Sequence, residues 1–128
     1  MSDKIRIFYN PRCSKSRQTM DILQDNDVNV SVVEYLKSPP SSTELSEVLD
    51  LLGLEPRDLM RNHEAPYKEN GLDDPDLSRE QLIQAMIEHP ILIERPIVIN
   101  GNKAVIGRPP EKVLDILSWQ KQKHHRKY

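Results

Sequence analysis

The 128-residue sequence predicts an α/β fold built on one mixed four-stranded sheet. Three observations point there. A strand–helix–strand pattern fills roughly the first 35 residues, a hairpin followed by a helix closes the chain, and amphipathic helical patterns occupy the stretch between.

KIRIFY (4–9) alternates charged with aliphatic or aromatic residues, as a half-buried strand does, and Asn10-Pro11 ends it. From Ser14 or Lys15 to about Asp25, Met20, Ile22 and Leu23 stand among polar residues and predict a helix. VNVSVVEYL (28–36) is rich in β-branched residues and reads as a second strand. Two strands joined by a helix over so short a span should lie parallel, with a right-handed crossover.

SPPSS (38–42) breaks the chain and starts the next helix. From Ser42, the residues Leu45, Val48, Leu49 and Leu52 form one apolar stripe, and Gly53 is a fitting stop. EPRDLMR (55–61) predicts a short helix with Pro56 in its first turn. The polar stretch 62–76, broken by Pro66, Gly71 and Pro75, reads as loop with a turn of helix. Ser78-Arg79-Glu80-Gln81 is a capping box opening a helix whose apolar face is Leu82, Ile83, Met86 and Ile87, and His89-Pro90 ends it. IVI and AVI flank Asn100-Gly101-Asn102-Lys103, a hairpin signal. Pro109-Pro110 then opens a helix bearing Val113, Leu114, Ile116 and Leu117 and reaching about Trp119. A βαβ half followed by a ββα half is the thioredoxin/glutaredoxin-like core. The inserted helical region spans about 40–90, within a single domain over 1–120, and 121–128 is expected to be a solvated tail.

A net charge of −2 and few aromatics argue against nucleic acid or an anionic membrane surface as the main partner. No apolar run approaches the roughly 18 residues that span a bilayer. MSDKIRIFYN shows no apolar signal segment, and one cysteine cannot form an internal disulfide, so a cytoplasmic location is expected.

That cysteine, Cys13, lies in YNPRCSKSRQTM beside Arg12, Lys15 and Arg17. A free cysteine is often only a small buried hydrophobe. Here it sits at the turn from the first strand into the first helix, where unpaired N–H groups, the helix dipole and nearby cations favour a thiolate. The same N–H groups would hold an oxyanion beside the sulfur, with Ser14 and Ser16 adding hydroxyls, one of them expected to cap the helix. A phosphatase loop places five residues between cysteine and arginine, whereas three separate Cys13 from Arg17 and Thr19 stands where the arginine belongs. His63, His89, His124 and His125 have no metal-ligand spacing with Cys13.

Three distant arginines complete the candidate site. Arg95 interrupts two aliphatic runs where a sheet core would take an apolar residue. X-Pro bonds are where cis peptides occur, and thioredoxin-like folds carry a cis proline before the third strand that faces the reactive cysteine, so Pro96 is expected to be that proline. Arg108 follows the fourth strand, and Arg61 closes the EPRDLMR helix. Together they could clamp a tetrahedral oxyanion with forked hydrogen bonds.

KIRIFYNPRCSKSR, LMRNHEAPY, HPILIERPIVI and VIGRPPEKVLDIL together resemble the glutaredoxin-coupled arsenate reductases, the ArsC family, over nearly the whole chain. The resemblance implies Cys13 as catalytic nucleophile, Arg61, Arg95 and Arg108 as oxyanion ligands, and Pro96, Ser16 and Arg17 as supporting residues. It implies arsenate reduced to arsenite through a Cys13–arsenic adduct, with no bound cofactor, glutathione as co-substrate and glutaredoxin as partner. A histidine common ahead of Asn-Pro in the family is Tyr9 here, which leaves ionisation of Cys13 to cations and the helix terminus. Two other readings share the fold. One is an Spx-like regulator of RNA polymerase, whose usual second switch cysteine falls on Ser16, and the other is a glutathione-dependent thiol oxidoreductase with a different substrate.

Overall fold

The computed structural model describes residues 5–117. Lys4 at the start of the first expected strand, Trp119 at the end of the last expected helix, the tail 121–128, and His124 and His125 lie outside the described residues. The chain forms two compact units. One comprises the residues up to Glu34 and from Arg95 onward, and the other is Tyr35–Glu94.

The first unit holds the sheet. Strands β1 (Ile5–Phe8), β2 (Val30–Val33), β3 (Ile97–Asn100) and β4 (Lys103–Ile106) stand in the order β2-β1-β3-β4. β1 runs parallel to β2, pairing Ile5 with Val30 and Phe8 with Val33. It runs antiparallel to β3, pairing Ile5 with Asn100 and Phe8 with Ile97, and β3 pairs antiparallel with β4. This is the mixed sheet of a thioredoxin-like fold. β2 is shorter than its sequence pattern, because it is an edge strand and its apolar run continues past the last residue of β1 that can pair with it.

Side chains alternate across each strand, so Ile5, Ile7 and Val98 share one face. They form a core with Leu23 from helix α1 (Ser14–Asp25) and with Val113, Ile116 and Leu117 near the end of the described chain. The β3–β4 hairpin turns through Gly101 and Asn102, with Gly101 at φ 63°, a left-handed conformation that glycine adopts without a Cβ penalty.

The expected C-terminal α-helix is instead a 3-10 helix, Pro110–Ile116. Its buried residues Pro110, Val113 and Ile116 recur every third position, which matches three residues per turn better than 3.6. Its end is fastened to the sheet by Asn100, whose Nδ2 donates to the Ile116 carbonyl at 2.8 Å.

The second unit is helical: α2 (Ser42–Leu52), α3 (Pro56–Leu59), α4 (Ala65–Glu69) and α5 (Arg79–Glu88), followed by a 3-10 turn at Pro90–Leu92. Its buried residues include Leu45, Val48 and Leu49 of α2 and Leu82, Ile83 and Met86 of α5. The capping box of α5 is formed: Ser78 Oγ accepts from Gln81 N at 3.1 Å, and Gln81 Oε1 accepts from Ser78 N at 2.8 Å. In α2 the cap is Ser41, whose side chain accepts from Glu44 N, so Ser42 is the first helical residue. Met60, just past α3, bridges antiparallel to Ile93. No helix among the described residues is long and apolar enough to cross a membrane.

Candidate active site around Cys13

β1 ends at Phe8, and Asn10 shapes the turn that follows. Its Oδ1 accepts from Arg12 N at 3.0 Å and its carbonyl accepts from Cys13 N at 2.9 Å. Asn favours this kind of turn because its side chain can reach its own backbone two residues on. Arg17 braces the same loop, donating from Nη1 to the Pro11 carbonyl at 2.9 Å.

Cys13 is itself the N-cap of α1, with extended backbone angles. Neither Ser14 nor Ser16 fills that place, contrary to expectation, because the helix begins one residue after the cysteine. The consequence is chemical. An N-cap side chain occupies the point toward which the free N–H groups of the first turn converge. The Cys13 side chain makes no regular capping hydrogen bond, yet those N–H groups act on its charge.

Burial, with the residue only 7% exposed, pushes the thiol pKa up. Against this stand the Ser16 N–H, the Arg95 side chain, the Ser16 hydroxyl and the Lys15 N–H, and they prevail: the pKa falls from its ordinary value to about 7. Ser16 is fully buried and serves twice, since its Oγ also accepts from Asn10 N at 3.3 Å.

The cations adjacent in sequence are not the ones that matter most. Arg12 and Arg17 are exposed, and Lys15 acts through its backbone. The charge comes from the far end of the unit. Arg108 directs Nη2 to the Cys13 sulfur at 3.8 Å, while its Nε donates to the Arg95 carbonyl at 2.8 Å. Arg95 and Arg108 therefore flank one sulfur and are tied to each other. The Arg95–Pro96 peptide is cis, as expected, and the Arg108–Pro109 peptide is cis as well, which the sequence reading did not foresee.

Tyr9, where the family's histidine would stand, packs against the core of this unit. Ionisation of Cys13 rests on the helix N–H groups, the Ser16 hydroxyl and Arg95.

Arg61 belongs to the second unit. It does not close a helix, because α3 ends at Leu59, and its N–H donates instead to the Leu92 carbonyl at 2.7 Å. Its guanidinium is engaged by Glu64 at 3.0 Å, by Glu94 at 3.7 Å and by His63 Nε2 at 3.2 Å. Within the first unit, then, the structure brings together Cys13, Ser16, Arg95 and Arg108.

A thiolate held near neutral pH by backbone N–H groups, the Ser16 hydroxyl and the Arg95 guanidinium, with Arg108 Nη2 at 3.8 Å from the sulfur, can attack an electrophilic centre. The same donors can neutralise the oxygens of an incoming anion.

Comparison with known proteins identifies the family. The sequence profile of the ArsC family matches residues 8–116. A protein of Escherichia coli K12 described as uncharacterised, YfgD, is 50% identical over 118 residues, covering 91% of this chain and 99% of its own. An arsenate reductase of Neisseria meningitidis serogroup A is 44% identical over 115 residues, 89% of this chain and 98% of that protein. Among solved structures, an arsenate reductase from Vibrio cholerae superposes with a TM-score of 0.87 at 47% identity, covering 91% of this chain and 100% of that one. The chain belongs to the ArsC family.

Proposed function

We propose that the protein is an arsenate reductase in which Cys13 is the nucleophile and glutathione with glutaredoxin supplies the electrons. The observation that supports this most directly is the buried Cys13 thiol at the N-cap of α1, held at a pKa of about 7 and faced by Arg95 and Arg108. The names borne by its relatives in Neisseria and Vibrio point to the same substrate.

In this reading arsenate is held by Arg95 and Arg108, with Arg61 as the third ligand on the strength of the family resemblance. The Cys13 thiolate attacks arsenic, a sulfur–arsenic bond forms, and one oxygen leaves as water after protonation. Glutathione displaces a second oxygen, again as water, so that arsenic(V) carries both sulfurs. A glutaredoxin thiolate then attacks the glutathione sulfur. The sulfur–arsenic bond breaks, its electron pair stays on arsenic, and a mixed disulfide departs. Arsenic is now arsenic(III) on Cys13, and hydrolysis releases arsenite and the thiol. One glutathione thiol and one glutaredoxin thiol are oxidised for each arsenate reduced. The chain's single cysteine cannot supply the second thiol, so the reductant is external. These thiol donors place the reaction in a reducing compartment such as the cytoplasm.

The test is a coupled assay with glutathione, glutaredoxin, glutathione reductase and NADPH. Arsenate-dependent NADPH loss is expected for the wild type and none for Cys13→Ser. No arsenate-dependent turnover by the wild type would defeat the enzymatic reading. Arsenite produced without glutathione or glutaredoxin would defeat the donor reading alone.

A further inference from the structure

Gly107 lies between β4 and Arg108, and its backbone angles are not ones that demand glycine. What demands it is space. A Cβ at this position would lie 2.6 Å from Thr19 Oγ1, 2.9 Å from Pro96 Cγ and 3.3 Å from Thr19 Cγ2. Neither neighbour moves freely. Thr19 is fully buried in α1 and β-branched, so few χ1 rotamers are open to it, and the Pro96 ring is closed onto the backbone, so its Cγ moves only by a change of pucker. Thr19 Oγ1 has no hydrogen-bond partner among the described residues, so nothing polar accounts for its approach to this point.

The three segments that meet here are the ones that hold the sulfur. α1 carries Cys13 at its N-cap, Pro96 follows Arg95, and Gly107 precedes Arg108. Two backbone bonds keep the junction in register: Gly107 N donates to the Pro96 carbonyl at 2.9 Å, and Arg108 N donates to the Ile106 carbonyl at 2.8 Å. A shift at Gly107 moves the backbone that carries Arg108 and, through Pro96, the backbone that carries Arg95, whose carbonyl also holds Arg108 Nε.

We propose that Gly107 is a positioning residue: its missing side chain lets α1, the Arg95–Pro96 segment and the start of the Arg108 segment close on one point, and that closure sets where Arg95 and Arg108 meet Cys13. Thr19 takes part as the wall on the helix side. The inference concerns the thiol and its surroundings alone, and its test needs no oxyanion, so it stands or falls separately from the arsenate reading.

The experiment is titration of the Cys13 thiol, followed by thiolate ultraviolet absorbance and by alkylation rate against pH, in wild type, Gly107→Ala, Thr19→Ala and the double variant. Circular dichroism and thermal melts establish folding. In Gly107→Ala the pKa is expected to rise from about 7 by about 0.5, since moving a guanidinium costs less than the roughly 1–3 of removing one. At pH 6 that change lowers the thiolate fraction about threefold. Thr19→Ala alone keeps the pKa near 7, and the double variant, with both Thr19 contacts relieved and only that with Pro96 Cγ left, recovers part of the rise. Folded Gly107→Ala with an unchanged pKa overturns the proposal. So does a double variant no closer to wild type than the single one, or a rise in Thr19→Ala as large as that in Gly107→Ala. If Gly107→Ala does not fold, the double variant decides: recovery of fold with a pKa near 7 supports the proposal, and failure to recover overturns it.

Discussion

Replacing Arg95 with alanine should expose two separable roles of one guanidinium. The first is ionisation. With a Cys13 pKa of about 7, half the protein carries the thiolate at pH 7. An opposite charge within roughly 4–6 Å lowers an acid's pKa by about 1–3, and the lower end of that range places the variant near about 8. The thiolate fraction at pH 7 then falls from about a half to about a tenth, about fivefold, equivalent to about 1 kcal/mol. The second role is holding the anion, where a hydrogen bond to a charged group contributes about 1.5–3 kcal/mol, or about ten- to a hundredfold in kcat/KM. The two respond differently to pH. The ionisation deficit disappears once the solution is alkaline enough to ionise both proteins, whereas the binding deficit remains. Measured from pH 6 to about 9.5, on the upper side of the thiol titration, the wild-type to variant ratio of kcat/KM should shrink and level off above one. The ionisation of arsenate cancels in that ratio. A folded Arg95→Ala protein whose thiol still titrates near 7, or a ratio that stays flat with pH, would refute the reasoning.

Three further outcomes follow from the same geometry. Ser16→Ala removes the buried hydroxyl that bonds both Asn10 N and the sulfur, so the thiol pKa should rise and stability fall by about 1 kcal/mol, read by thiol titration and urea denaturation. The Cys13 pKa lies below the unfolded value of about 8.5, so thiolate formation stabilises the fold by up to about 2 kcal/mol above that pH. This contribution is lost as pH falls through about 7, and denaturation of wild type and Cys13→Ser at several pH values should show the gap. Arg61→Ala is expected to weaken arsenate binding by about tenfold, one charge-assisted hydrogen bond, while the thiol still titrates near its wild-type value, since Arg61 is not among the groups that ionise it.

The sheet was legible because each of its signals is local. Alternation in KIRIFY, β-branched residues after Val28 and the Asn100–Lys103 turn depend only on neighbours in sequence, and β1 to β4 follow them. Arg95 and Arg108 were legible as charges out of place at sheet ends, and the turn into α1 marked Cys13. The source of ionisation was not legible in the same way. Arg12 and Arg17 are near Cys13 in sequence, but a helix start turns them outward to solvent while the backbone N–H groups turn inward. The last helix was misread because Val113, Leu114, Ile116 and Leu117 fit a 3.6-residue period, and only burial of Pro110 shows the three-residue one. Gly107 left no sequence signal, because its reason is the approach of Thr19 from 88 positions earlier in the chain.

The sheet order has a consequence for the chain as it is made. β1 is an inner strand whose second neighbour, β3, comes from the other side of the long Tyr35–Glu94 insertion. Synthesis proceeds from the N-terminus at about 5–20 residues per second. Cys13 therefore emerges several seconds before Arg95 and Arg108 exist. During that interval the thiol has neither guanidinium beside it, and it titrates closer to an unstructured cysteine. A chain that stalls or is cut before Arg95 would carry the same cysteine with little of its reactivity. The thiol becomes fully reactive only once nearly the whole sequence has been translated.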